Sequence, residues 1–144
     1  MSKIPDRLYI DDKDRELYQM LSKESSLFRG KINRDQFLFT AAIGVTNNMR
    51  IPIQRKENWF LTKDLRPEDN ALFNAIALAE TESTDILSDK NEIYKIVEEY
   101  AHAGIKILSN EMVSVEFGSF HKHLEKQLND IYSTLAKNIN VRNE

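Results

Sequence analysis

The sequence predicts an all-α protein, a compact bundle of about five helices. Three observations carry that prediction. Gly and Pro supply only 7 of 144 residues, roughly half the usual share, so turns are scarce and elements long. Apolar residues recur at three- and four-residue spacing over most of the chain, which is the helical period. The balance of 41% hydrophobic and 30% charged residues is that of a globular chain with a core. This length reads as a single helical domain over residues 1–144, with polar ends at 1–6 and 137–144 expected to fray.

Residues 7–10 (RLYI) read as a short extended lead-in or edge strand. Asp11 and Asp12 then offer N-caps for a first helix to about residue 23, with Leu17, Tyr18 and Leu21 on one face. A connector over 25–31 contains Gly30. The second helix starts near Asn33, whose amide can cap it, and Asp35 suits its first turn. Phe37, Leu38, Ala41, Ala42, Val45 and Met49 mark its apolar positions. Ala41, Ala42 and Gly44 are small, so another backbone can come close there. Pro52 stops this helix by residue 50 or 51, because the residue before a proline disfavours the α region.

Residues 51–66 show no helical period. Ile51, Ile53, Trp59, Phe60 and Leu61 fit either a short β-hairpin or an irregular loop between helices 2 and 3. So long a connection is unusual in a small domain and is often functional. Pro67 suits the first position of a third helix, with Glu68 and Asp69 at the positive end of its dipole. After a polar turn at 81–85, Asp89 and Glu92 make a capping-box-like start for the longest helix. Ile93, Ile96, Val97, Tyr100, Ala101, Ile105, Leu108 and Met112 stripe it. Gly104 inside this helix costs ~1 kcal/mol relative to Ala, which points to a close helix contact or a kink. Residues 113–118 are ambiguous. A last helix over about 119–136 carries Leu124, Leu128, Ile131 and Leu135 in a 4-3-4 stripe, suited to a neighbouring helix in this chain or in a second copy.

Charge is unevenly spread. The net −3 resolves into −1 over residues 1–28, +5 over 29–66 and −7 over 67–144. A basic middle on an acidic body can steer an anionic partner, unless folding mixes the charges. The candidate nucleic-acid-binding residues are therefore Arg34, Asn47, Asn48, Arg50, Arg55, Lys56, Trp59, Lys63 and Arg66. Cationic groups neutralise phosphates, amides donate to backbone oxygens, and an exposed indole stacks on a base. For Trp59 the competing reading is a core anchor, since a lone large aromatic usually packs.

Other chemistries find little support. Cys is absent, which removes disulfides, thiolate nucleophiles and Cys-ligated metals. The histidines are His102, His121 and His123, and the last two diverge on a helix, so no zinc set is expected. There is neither a G-x-S-x-G nor a glycine-rich phosphate loop. Pro5-Asp6 with Asp11-Asp12-Lys13 superficially matches the P-D…D-x-K pattern of metal-dependent nucleases. That site needs adjacent strands, whereas here the second group falls at a helix start. A nuclease is the remote alternative, and no catalytic residue, metal or cofactor is expected. No apolar run approaches the ~20 residues of a membrane span and the first six residues are too polar for a signal peptide, so a cytoplasmic location is expected.

Four ordered blocks resemble one family: residues 35–44 (DQFLFTAAIG), 50–53 (RIPI), 74–81 (NAIALAET) and 98–108 (EEYAHAGIKIL). They are similar to the bacterial dnd system-associated protein 4 family, encoded beside DNA phosphorothioation genes. The likeness spans about residues 6–110. It implies a role in phosphorothioate-linked modification, restriction or phage defence, and it brings no catalytic residues. The expected function is a non-enzymatic accessory protein that contacts double-stranded DNA, phosphorothioated or not, through the basic loop. The alternative is an adaptor for other proteins of the same system, or a homo-oligomer through the C-terminal helix, with no DNA contact.

Overall fold

The computed structural model describes residues 5–24, 28–114 and 126–137. In chain order these are β1 (Arg7–Asp11), α1 (Asp14–Glu24), α2 (Asn33–Thr46), β2 (Lys56–Leu61), α3 (Pro67–Thr81), α4 (Lys90–Ser114) and α5 (126–137). Short 3-10 turns at Thr62–Asp64 and Thr84–Ser88 lead into α3 and α4. The described helices number five, as the periodicity predicts.

Helix α4 is the axis on which α1, α2, α3 and β1 pack. Its closest neighbour is α2, and the two glycines explain why. A Cβ built on Gly104 would collide with the Thr40 carbonyl oxygen, and one on Gly44 with the Tyr100 carbonyl oxygen. The helices thus meet backbone to backbone, which realises the close contact that Gly104 predicts. Around this crossing Phe37, Ile43, Ile96, Val97, Ile105 and Leu108 are almost wholly buried. Phe73 from α3 joins them through edge-to-face contacts with Phe37 and Tyr94.

Helix ends follow local chemistry, with three departures from expectation. Asp11 and Asp12 precede α1 instead of capping it: the Asp11 carboxylate accepts the Lys13 and Gln54 N–H groups at 3.1 and 3.0 Å. Asn33 does not cap α2, whose N-cap is Ile32 without a side-chain bond; the Asn33 amide donates to the Trp59 carbonyl at 3.0 Å. Helix α2 also ends at Thr46, three residues before Met49, which is 44% exposed. Asn48 takes the left-handed conformation (φ 51°) that commonly ends helices, and the Met49 N–H returns to the Gly44 carbonyl. Pro67 does open α3, where Asp69 accepts the Arg66 N–H at 2.9 Å. Asp89 does start α4 by accepting the Glu92 N–H.

The two extended segments of the sequence pair with each other. β1 and β2 form a two-stranded antiparallel sheet, with Leu8 opposite Phe60 and Tyr9 opposite Asn58. The register skips Trp59, which is the extra residue of a β-bulge. In a regular strand Trp59 and Phe60 would face opposite sides. The bulge lets both turn inward, Phe60 onto Phe37 and Trp59 onto Tyr18. On α5, Ile131 is 3% exposed and Leu135 packs at the core margin. That part of the 4-3-4 stripe is thus used within this chain, while Leu124 lies outside the described residues.

Candidate functional site

The nine residues predicted to touch nucleic acid do not share one surface. Arg50 is held between Glu80 (2.8 Å) and Glu99 (2.9 Å), on the side of α3 and α4. Arg66 folds back on Asp69 and Glu68, and Arg34 bonds the Asp64 carbonyl and Asp35. Asn47 donates to its own helix at the Ile43 carbonyl, and Asn48 makes the turn. Arg55 is 82% exposed, 3.8 Å from Asp12, and the Lys56 ammonium lies over the Tyr9 ring. Lys63 is exposed with no ion pair among the described residues. β2 runs roughly 17 Å from Lys56 to Leu61, with Arg55 before its start and Lys63 in the 3-10 turn after its end. The arginines of the basic segment are mostly spent on intramolecular carboxylates and carbonyls.

Trp59 is both a core anchor and the wall of a cleft. Its ring centroid is 5.0 Å from that of Tyr18, at 37°. It also lines a cleft of about 710 Å³ between α1, the start of α2 and β2. Arg15, Gln19 and Lys23 from α1, with Lys31 and Asn33, complete that cleft. Arg15 bonds Glu57 at 2.9 Å while half exposed. Sequence reasoning misses these cations because Lys31 falls in the 25–31 connector, outside the basic loop, and α1 reads only for its apolar face. The spacing of Arg15, Gln19 and Lys23 along α1, four residues each, was the available signal.

A buried polar seam joins α4 to the N-terminal elements. His102 Nδ1 is 2.5 Å from Asp14, and its Nε2 is 3.8 Å from Asp11; all three side chains are at most 5% exposed. Burial raises Asp14, and the His102 contact only partly offsets it. Burial acts on Asp11 too, but the Lys13 and Gln54 N–H groups and His102 outweigh it and hold that carboxyl below its usual value. One turn earlier Glu98 accepts the Tyr9 N–H at 2.8 Å, and burial pushes its carboxyl up to about 7. Among the described residues no group of three or more His, Asp or Glu is arranged to hold a metal ion. His121 and His123 lie outside the described residues.

An apolar groove of about 750 Å³ lies among α2, α3, α4 and α5. Val45, Ala75, Leu78, Ala79, Ile131 and Leu135 supply its walls. At one end the Tyr100 hydroxyl donates to Glu80 at 2.6 Å, and burial with this bond pushes the phenol up to about 12. Leu87, 40% exposed, stands at its rim. No described helix is long and apolar enough to cross a membrane.

The fold and these surfaces define a small, mostly helical protein with an apolar groove, a cation-lined cleft and a buried carboxylate–imidazole seam. Over residues 7–134 the chain belongs to the family described as DNA sulphur modification system-associated protein 4. This is the family that the sequence blocks resemble, and the match runs beyond residue 110 into α5. The family description ties the chain to a DNA sulphur modification system. Neither curated proteins nor solved structures give a match.

Proposed function

We propose that the chain is a non-catalytic adaptor of a DNA sulphur modification system, docking a helix of a partner protein in the apolar groove. The observation that carries this reading is the groove itself, a concavity of about 750 Å³ walled mainly by apolar side chains from four helices. Apolar concavities of this kind on a small protein take amphipathic partner helices. Asp130 among its lining residues favours a partner helix with a basic flank. A non-catalytic role fits the burial of Asp14 and His102, which leaves that pair no exposed face for a substrate.

Co-purification with the other proteins of the system tests the proposal. The wild-type chain retains one of them, and Ala79→Arg/Leu87→Arg, on exposed groove positions, lowers retention about tenfold with helical circular dichroism unchanged. Retention that is equal for both forms would refute it.

Direct contact with duplex DNA through the loop is a second reading, supported by the exposure of Arg55, Lys56 and Lys63. Arg55→Glu/Lys56→Glu then abolishes a low-salt mobility shift. A wild-type chain that shifts no duplex removes this reading.

A further inference from the structure

We infer that the cleft between α1, the start of α2 and β2 binds a nucleotide phosphate, presented by an unpaired nucleic-acid strand. This site is separate from the groove and from the exposed loop cations. Two independent observations lead to it.

The first is the bulge. A regular β2 would not place both Trp59 and Phe60 against the helices; the extra residue turns Trp59 toward α1, where it lines the cleft beside Tyr18. Bulges recur where a strand re-aims a side chain next to a functional site. The Asn33 amide holds the bulged carbonyl at 3.0 Å, which fixes that aim.

The second is the state of the cations. Arg34, Arg50 and Arg66 are committed within the chain, but Lys23 and Lys31 have no ion pair among the described residues. Arg15 directs one guanidinium nitrogen to Glu57, the carboxylate beside the cleft, and keeps its other N–H groups. Two lysines and an arginine around an aromatic wall supply what a nucleotide needs: charge for the phosphate and a ring for the base. The cleft volume of about 710 Å³ is in the range of sites that enclose small molecules of nucleotide size. A duplex keeps its bases stacked inside, so only an unpaired nucleotide brings a base to a ring in a concave site.

Trp59 is the only tryptophan, so its emission reports this site directly. The full chain is titrated at low salt with a short oligo-thymidine strand, a duplex of equal length, and thymidine monophosphate. The strand produces a saturable emission change, and its affinity falls roughly 20-fold between about 50 and 200 mM salt, as for three neutralised phosphates. Lys23→Glu/Lys31→Glu weakens binding at least tenfold with unchanged circular dichroism. Arg55→Glu/Lys63→Glu and Ala79→Arg/Leu87→Arg bind the strand within twofold of wild type. Monophosphate binding as tight as the strand's supports the phosphate site and names free nucleotide as its source. No emission change with any probe, an unaffected Lys23/Lys31 variant, or equal affinity for the duplex would overturn the inference. The groove variant, losing its protein partner while keeping the strand, separates failure here from failure of the adaptor reading.

Discussion

Helix α4 meets two neighbours in opposite ways. Toward α2 it presents Gly104 and the Tyr100 backbone, and the two helices touch through main-chain atoms with apolar side chains sealing the margins. Toward β1 and α1 it presents Glu98 and His102, and the contact is made by buried carboxylates, an imidazole and a backbone N–H. The first seam depends on shape alone and is indifferent to pH. The second stores ionisable groups in a dry place, so its strength depends on their protonation. One helix therefore carries a fixed joint and a titratable one.

The largest effect comes from breaking the fixed joint. Gly104→Leu drives a side chain into the Thr40 carbonyl and the Gly44 backbone, neither of which can move without separating the helices. A loss of more than ~3 kcal/mol is expected, seen as a collapse of the denaturation midpoint. Breaking the titratable joint is milder. Asp14→Ala leaves His102 without its 2.5 Å partner and costs about 2–3 kcal/mol. A denaturant midpoint within error of wild type would show that the seam contributes nothing.

The smallest effect sharpens the contrast through pH. Glu98 is raised from 4.5 to about 7, so between those values the folded chain holds a proton that the unfolded chain has released. Stability from this group is fully present below pH 4.5 and is lost as pH rises through about 7. Glu98→Gln keeps an acceptor for the Tyr9 N–H and removes the titration. Thermal melts at pH 5 and pH 8 should show the variant gaining roughly 2 kcal/mol on wild type at the higher pH. Parallel melting curves for both proteins would contradict the assignment.

These two seams also show what the sequence disclosed. Gly104 and Pro67 act through local backbone rules, so the close crossing and the start of α3 were legible, whereas α2 ends at Thr46 through the Asn48 turn, ahead of Pro52. The Asp14–His102 pair spans 88 residues and Glu98–Tyr9 spans 89. No local pattern announces such partners, and Asp11 and Asp12 looked like caps. The basic segment misled for a related reason: a run of charge states composition, while Glu80 and Glu99, which hold Arg50, come from distant helices. Trp59 was singled out as either anchor or ligand contact. The bulge that lets it serve the core and line the cleft exists only once β1 sets the register.

The pairing of β1 with β2 has a consequence for how the chain is made. Residues 7–11 are synthesised well before their partners: their strand partner ends at residue 61 and their buried partners on α4 follow at 98 and 102. At 5–20 residues per second, the opening strand waits roughly 5 to 20 s with Leu8 and Ile10 uncovered. During that interval it is a sticky edge available to any neighbouring chain, so a strand made long before its partners needs shielding on a crowded polysome.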